Sequence, residues 1–199
     1  SLEKELEIGR NIQLSFLPAE LPRIEDWEIA ASLEAAREVA GDFYDAFETG
    51  GDICLVIGDV CDKGVGAALF MTLFRSLLRF TMTTNNISEK KSPAEKLNHA
   101  VTLTNNYVAN IHGETGMFAT VFIAIIQKDQ NAVWYINCGH DPPFVFRADG
   151  ENERLMPTNP AIGAFPDLRL SCKCTSMLPG DSLIAFTDGV GDARSPNGN

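Results

Sequence analysis

The chain has 199 residues and 21.7 kDa, room for one large domain or two small ones. Hydrophobic residues make up 45% and charged residues 22%, the balance of a soluble globular protein, which excludes disorder as the main state. The net charge is −11, with 16 basic against 27 acidic residues; phosphate backbones need a basic face, so nucleic acid is excluded as the partner and a carboxylate-lined cation site is favoured.

No run of 18 or more uninterrupted apolar residues exists, so no membrane span is expected. The opening Ser1-Leu2-Glu3-Lys4-Glu5 has neither the basic nor the apolar region of a signal peptide. Five cysteines, Cys54, Cys61, Cys138, Cys172 and Cys174, are an odd number in a chain too large to need staples. Cys172 and Cys174 have no second Cys/His pair nearby to complete a zinc site. Reduced thiols packed as small hydrophobes, in a cytoplasmic protein, are the expectation.

Leu2 to Leu17 reads as a Glu-rich helix with Leu2-Leu6 and Ile8-Ile12-Phe16 at i,i+4 spacing, stopped by Pro18. It is either a helix packed on its own domain or the end of a connector from an upstream module. The charged, uncapped start favours the connector, with residues 1–18 as connector and 19–199 as the main domain. Trp27 to Leu33 reads as a strand, followed by the acidic stretch Gly41-Asp42-Phe43-Tyr44-Asp45. Ile53 to Ile57 is an apolar run ending in Gly58-Asp59, the profile of a buried strand feeding a loop. Val65 to Met82 is helical, with Met71, Phe74, Leu77 and Leu78 as core. Ser92-Pro93-Ala94-Glu95 supplies an N-cap, a proline at N1 and a capping-box glutamate for a second helix running to about Ile111.

The period then changes to that of strands. Phe118–Ile126 and Ala132–Cys138 are joined by Lys128-Asp129-Gln130-Asn131. Pro143–Arg147 and Glu153–Met156 flank Ala148-Asp149-Gly150-Glu151, and Leu168–Met177 and Ser182–Phe186 flank Leu178-Pro179-Gly180-Asp181. Strands arranged in hairpins argue for an α+β fold with helices covering antiparallel sheets, not for a doubly wound parallel sheet.

Three carboxylates stand beside glycine at expected strand ends: Asp42 after Gly41, Asp59 after Gly58, and Asp188 before Gly189. One Asp-Gly is an ordinary turn dipeptide, but three in one domain carry more information. Two carboxylates about 4 Å apart repel by roughly 1 to 4 kcal/mol at surface-site dielectrics, so a converging set implies a cation. All-oxygen ligands select hard Mg²⁺ or Mn²⁺.

Glu38-Val39-Ala40-Gly41-Asp42-Phe43-Tyr44-Asp45, then Gly58-Asp59-Val60-Cys61-Asp62-Lys63-Gly64-Val65-Gly66-Ala67-Ala68, then Asn137-Cys138-Gly139-His140-Asp141-Pro142-Pro143, then Thr187-Asp188-Gly189-Val190 occur in that order. Together they resemble the PPM-type metal-dependent serine/threonine phosphatases, in the bacterial SpoIIE/RsbU-like branch. Ile12-Gln13-Leu14-Ser15-Phe16-Leu17-Pro18 is similar to that branch's entry helix. The resemblance implies an αββα sandwich, with two central antiparallel sheets flanked by helices and a two-metal site at one end. It places the bridging aspartate on Asp59, a backbone-carbonyl ligand on Val60, and further ligands on Asp188 and Asp42. Asp59 and Asp188 are thus the expected catalytic positions, and two Mn²⁺ or Mg²⁺ ions would activate a water for in-line attack on phosphorus. The implied substrate is phosphoserine or phosphothreonine on a regulatory partner of the anti-sigma-factor-antagonist type, and the implied context is an upstream sensor or receiver domain. If Leu2 to Leu17 is a connector, its apolar stripe is expected to be partly exposed or paired with a second copy in a homodimer.

The chain departs from the pattern in three places. Asp141 replaces an asparagine, and Asp62 stands where a glycine is frequent. No candidate for a further metal-binding aspartate follows Asp188, since Asp192 is too close, so the domain reads as truncated and its ion binding as weak. A pseudophosphatase serving as a binding module is therefore the alternative, and a hydrolase of small phosphate esters a third reading. Arg37 is either a clamp for the substrate phosphate or a solvated strand-end arginine, and Lys63 either steers phosphate or balances Asp62. For His140 a structural role outweighs that of general acid, and His99 and His112 read as surface or helix-end residues.

Overall fold

The computed structural model describes residues 2–34, 39–84 and 91–191. Helix α1 (Leu2–Ser15) gives way to a turn in which the Phe16 and Leu17 N–H groups bond the Gln13 and Leu14 carbonyls, just before Pro18. The following stretch does not form the strand expected at Trp27–Leu33. Only an isolated bridge between Ile24 and Trp27 forms there, closed by Asp26 at φ 66°. Trp27 and Ile29, two residues apart, pack together with Ile24 on the core between the sheets, without pairing to a sheet edge.

Strands β1 (Asp42–Thr49) and β2 (Asp52–Val60) form a hairpin through Gly50-Gly51, both at positive φ (60° and 86°). A two-residue turn of that hand matches the natural twist of the strands. Asp42–Asp45 of the acidic stretch are therefore the start of β1, and Asp59 lies within β2 rather than in a loop beyond it. Helix α2 (Val65–Thr84) and helix α3 (Pro93–His112) follow. The Ser92/Glu95 capping box of α3 forms in both directions. Strands β3 (Ala119–Gln127), β4 (Ala132–Cys138), β5 (Phe144–Phe146), β6 (Asn152–Arg154), β7 (Lys173–Ser176) and β8 (Ser182–Ile184) come next, and the four-residue helix α4 (Asp188–Gly191) ends the described chain. The strand expected over Leu168–Met177 is confined to β7, where a partner is available on β4.

Five strands form one antiparallel sheet in the order β1-β2-β3-β4-β7, and three form a second in the order β6-β5-β8. Alternation along β3 sorts its apolar run between two cores. Val121, Ile123 and Ile125 join Met71, Phe74, Leu78, Val101 and Val108 of the helices. Phe122, Ala124 and Ile126 face Val145, Leu155 and Met177 beneath the second sheet. Burial on both faces is why β3 reads as continuous hydrophobicity. The fold is thus α+β, with helices, five-stranded sheet and three-stranded sheet in successive layers. Among the described residues no long helix covers the outer face of the smaller sheet.

Helix α2 is long and apolar enough, by length and composition, to cross a membrane. Here its apolar stripe is buried against the large sheet, and its two arginines turn back onto β1. Arg75 Nε lies 2.9 Å and Arg79 Nη1 2.7 Å from the carboxylate of buried Asp45, and Arg79 also stacks over the Phe47 ring. All five cysteines are free; Cys54 and Cys138 are buried, and burial pushes the Cys138 thiol up to about 12. Cys54 and Cys138 pack as small apolar groups, Cys61 and Cys172 are half-buried, and Cys174 is exposed.

Candidate metal centre

Asp42 is the first residue of β1 and Asp59 the penultimate residue of β2, and the hairpin register sets them directly opposite each other. Directly paired residues share a face, so both carboxylates leave the sheet on the same side. Thr120 of β3 is opposite Asp59 in turn. Asp188 arrives from the other sheet, at the start of α4 just after β8. One oxygen from each of Asp42, Asp59 and Asp188 lies within 4.8 Å of the others.

Neighbouring hydroxyls and backbone hold this cluster in place. The Thr187 hydroxyl donates to Asp42 Oδ2 at 2.9 Å, fastening the Asp188 loop to β1. Gly41 is pressed against the end of β2. A Cβ there would stand 2.7 Å from the Val60 carbonyl oxygen and 3.1 Å from Asp59 Oδ1, so any larger residue would displace one of them. The Val60 backbone is thereby held against Gly41, the residue before Asp42. After it, Asp62 adopts φ 73° and its carboxylate accepts the Lys63 N–H at 2.8 Å. That left-handed turn explains why glycine suits this position and how aspartate replaces it.

The electrostatics match a site made for cations. Asp59 is pushed up to about 7, first by burial, then by its hydrogen bond with Asp42 and by the charges of Asp42 and Asp188, with Lys63 pulling the other way. Ordinary carboxylates held this close disfavour one another's charge, and a divalent ion removes that conflict. The donors are all oxygen, which fits Mg²⁺ or Mn²⁺.

The remaining sequence-derived candidates divide. Lys63 acts on Asp59 through its charge, and its side chain forms no ion pair with Asp62 among the described residues. His140 is buried, with its Nδ1 3.1 Å from the Thr120 hydroxyl and its N–H donating to Asn137 Oδ1 at 2.9 Å. Burial holds its imidazole below the usual range, against the pull of Asp141, the Phe186 carbonyl, Asp42 and Asp188. His140 therefore ties the loop after β4 to β3, as its structural reading requires. Arg37 and Asp192 lie outside the described residues.

Sequence reasoning missed the supports: Thr120, Thr187, and the buried Asn137 and Asn159. Asn137 Nδ2 donates to the Leu155 carbonyl, and the Asn159 side chain bonds both the Asn137 carbonyl and the Ser171 backbone. Asn137 and Thr187 stand in motifs named above, whereas Thr120 carries no local signal.

Two stacked antiparallel sheets with three carboxylates at one end define the class of metal-dependent phosphatases of PPM (PP2C) type. Residues 49–199 match the model of the family described as Stage II sporulation protein E (SpoIIE), and the chain belongs to that family. It is 46% identical over 210 residues to protein IcfG of Synechocystis, covering 96% of this chain and 33% of that protein. It is 28% identical to phosphoserine phosphatase RsbU of Bacillus subtilis, covering 99% and 56%. The chain thus spans from a third to little more than half of the curated relatives it matches. Among solved structures, the SiaA-PP2C domain of Pseudomonas aeruginosa superposes with TM-score 0.74 at 18% identity, covering 99% of this chain and 76% of that one. The catalytic domain of the phosphatase PstP, solved with two manganese ions, gives TM-score 0.59 at 18% identity, covering 83% and 77%.

Proposed function

We propose that this phosphatase domain hydrolyses phosphoserine or phosphothreonine on a regulatory partner protein, using two Mn²⁺ or Mg²⁺ ions. The convergence of Asp42, Asp59 and Asp188 within 4.8 Å, from three separate parts of the chain, is the observation that carries it. In this reading Asp59, Asp42, Asp188 and the Val60 carbonyl would hold the ions, and Arg37 would bind the substrate phosphate. Bound ions supply Lewis-acid activation of water and neutralise phosphoryl charge. The chain's own contribution is to hold the carboxylates in register: the β1/β2 ladder fixes Asp42 against Asp59, and Thr187 fixes Asp42 to the Asp188 loop. In the overall reaction water oxygen bonds to phosphorus, the phosphorus–serine oxygen bond breaks, and the serine oxygen leaves with a proton, giving inorganic phosphate and a free hydroxyl.

The likeness to RsbU, itself a phosphoserine phosphatase, supports a phosphoserine substrate, and an anti-sigma-factor antagonist is the partner type proposed. The outward side of α1, where Ile8 and Ile12 are exposed, is the surface proposed for an upstream sensor module or a second copy, in a cytoplasmic setting. The test is release of phosphate from phosphoserine and phosphothreonine proteins with Mn²⁺, Mg²⁺ or chelator. Metal-dependent turnover abolished by Asp59→Asn is expected. Metal-independent turnover, or none in any longer form of the protein, would sink the reading.

A further inference from the structure

Gln13 is a buried polar residue in the last turn of a largely exposed helix. Its side-chain amide pairs with one peptide unit far along the chain. Nε2 donates to the Ala40 carbonyl at 2.6 Å, and the Ala40 N–H donates to Gln13 Oε1 at 3.1 Å. This two-bond ring imitates the pairing of adjacent strands. It lies just beyond the end of β1, where the ladder with β2 no longer supplies partners. Gly9, one turn earlier, passes Val39 with an ideal Cβ 4.0 Å from Val39 Cγ1, and Leu17, one turn later, packs on the helix-side core. The inward face of α1 therefore carries Gly9 and Gln13 at i,i+4 spacing and is continued by Leu17 in the turn that follows, with Ile8 and Ile12 left outside.

The place of Ala40 in the chain gives this clamp its meaning. The next residue, Gly41, accepts the Val60 N–H at 3.3 Å and packs so tightly that a Cβ would stand 2.7 Å from the Val60 carbonyl oxygen. The residue after that is Asp42. Three consecutive residues thus join the Gln13 amide to the Val60 carbonyl and to the Asp42 carboxylate. β1 is an edge strand, held by β2 on one side only, so its first residue has few other restraints.

We propose that Gln13 is a positioning residue for the cation site: by clamping the Ala40 peptide it sets Asp42 and the Val60 carbonyl at the spacing a divalent ion requires. The inference rests on the reading of Asp42, Asp59, Val60 and Asp188 as that site. Outer partners that orient metal ligands characteristically change affinity about 10- to 100-fold when removed. A purely structural role would lower the melting temperature and leave ion affinity intact.

The experiment is calorimetric titration of the chain with Mn²⁺ alone, well below its melting transition, alongside circular dichroism of the metal-free proteins. Gln13→Met keeps length and volume but removes both hydrogen bonds, and is expected to weaken Mn²⁺ binding about tenfold or more. Gln13→Glu keeps the acceptor for the Ala40 N–H, loses the donor to its carbonyl, and is expected to weaken binding by a smaller factor. It decides the matter if Gln13→Met does not fold. Folded variants binding Mn²⁺ within a factor of about two of the parent would overturn the proposal, because removed outer partners cost more than that. Asp59→Asn separates the two readings. If it abolishes binding while the Gln13 variants bind normally, only the role of Gln13 is lost; if it binds Mn²⁺ like the parent, the cation site itself is misplaced.

Discussion

Asp42 and Asp59 face each other across the β1/β2 ladder, on neighbouring strands and the same face, with the hairpin's Gly50-Gly51 turn fixing the register. A slip of one residue would send one carboxylate to the helix side of the sheet. The pair therefore exists because the turn allows only one alignment, and its charge conflict is built into the fold.

Replacing Asp59 by asparagine should remove that conflict and, on the proposed reading, one carboxylate ligand together. Metal-dependent turnover is expected to fall by roughly a hundredfold or more, since metal activation is worth several kcal/mol. The metal-free protein should melt at or above the parent's temperature, because one of three mutually repelling carboxylates is gone. Calorimetry and a phosphate-release assay read the two effects separately.

The raised Asp59 pKa sets the direction of pH dependence. Its folded value of about 7 lies above the ordinary carboxylate value, so ionising it costs the folded state. Below about pH 4 both states are protonated and the group contributes nothing. As pH rises toward 7, its contribution to metal-free stability becomes increasingly unfavourable, and it levels off above that. Mn²⁺ competes with the same proton, so its affinity should rise through this window. Thermal melts of parent and Asp59→Asn across pH 4–8 should differ in slope as stated; equal slopes would contradict the assignment.

Asp45, three residues beyond Asp42, anchors β1 to α2 through Arg75 and Arg79. Asp45→Ala leaves Arg75 without its buried partner. Removing one member of a buried pair typically costs about 3–5 kcal/mol, and urea unfolding should show a loss of that order.

Gly41→Ala should act locally. The new methyl group would meet the Val60 carbonyl oxygen at 2.7 Å, and relieving that overlap should cost about 1–3 kcal/mol. Mn²⁺ binding should weaken along with it. Gly113→Ala, where a Cβ meets nothing within 4 Å, is the control and should leave binding unchanged.

Helices α2 and α3, the hairpins of β3–β4 and β5–β6, and the three site carboxylates were all legible in the sequence. Each rests on a local signal: a 3.6-residue period, a capping box, a turn between alternating runs, or a glycine beside an aspartate. Gly50-Gly51 was also a local signal, and reading it would have revealed β1 as a strand. Trp27–Leu33 had the alternation of a strand, but Trp27 and Ile29 pack on the core between the sheets and pair with no sheet edge, and only the assembled sheets show this. The convergence of Asp188 on Asp42, the Thr120–His140 contact and the Gln13–Ala40 clamp join residues 146, 20 and 27 positions apart. Such contacts have no periodicity of their own. Residue types and local order were determined by the sequence; which polar groups meet was decided by the strand register and the stacking of one sheet on the other, because only these bring distant backbone within hydrogen-bonding reach.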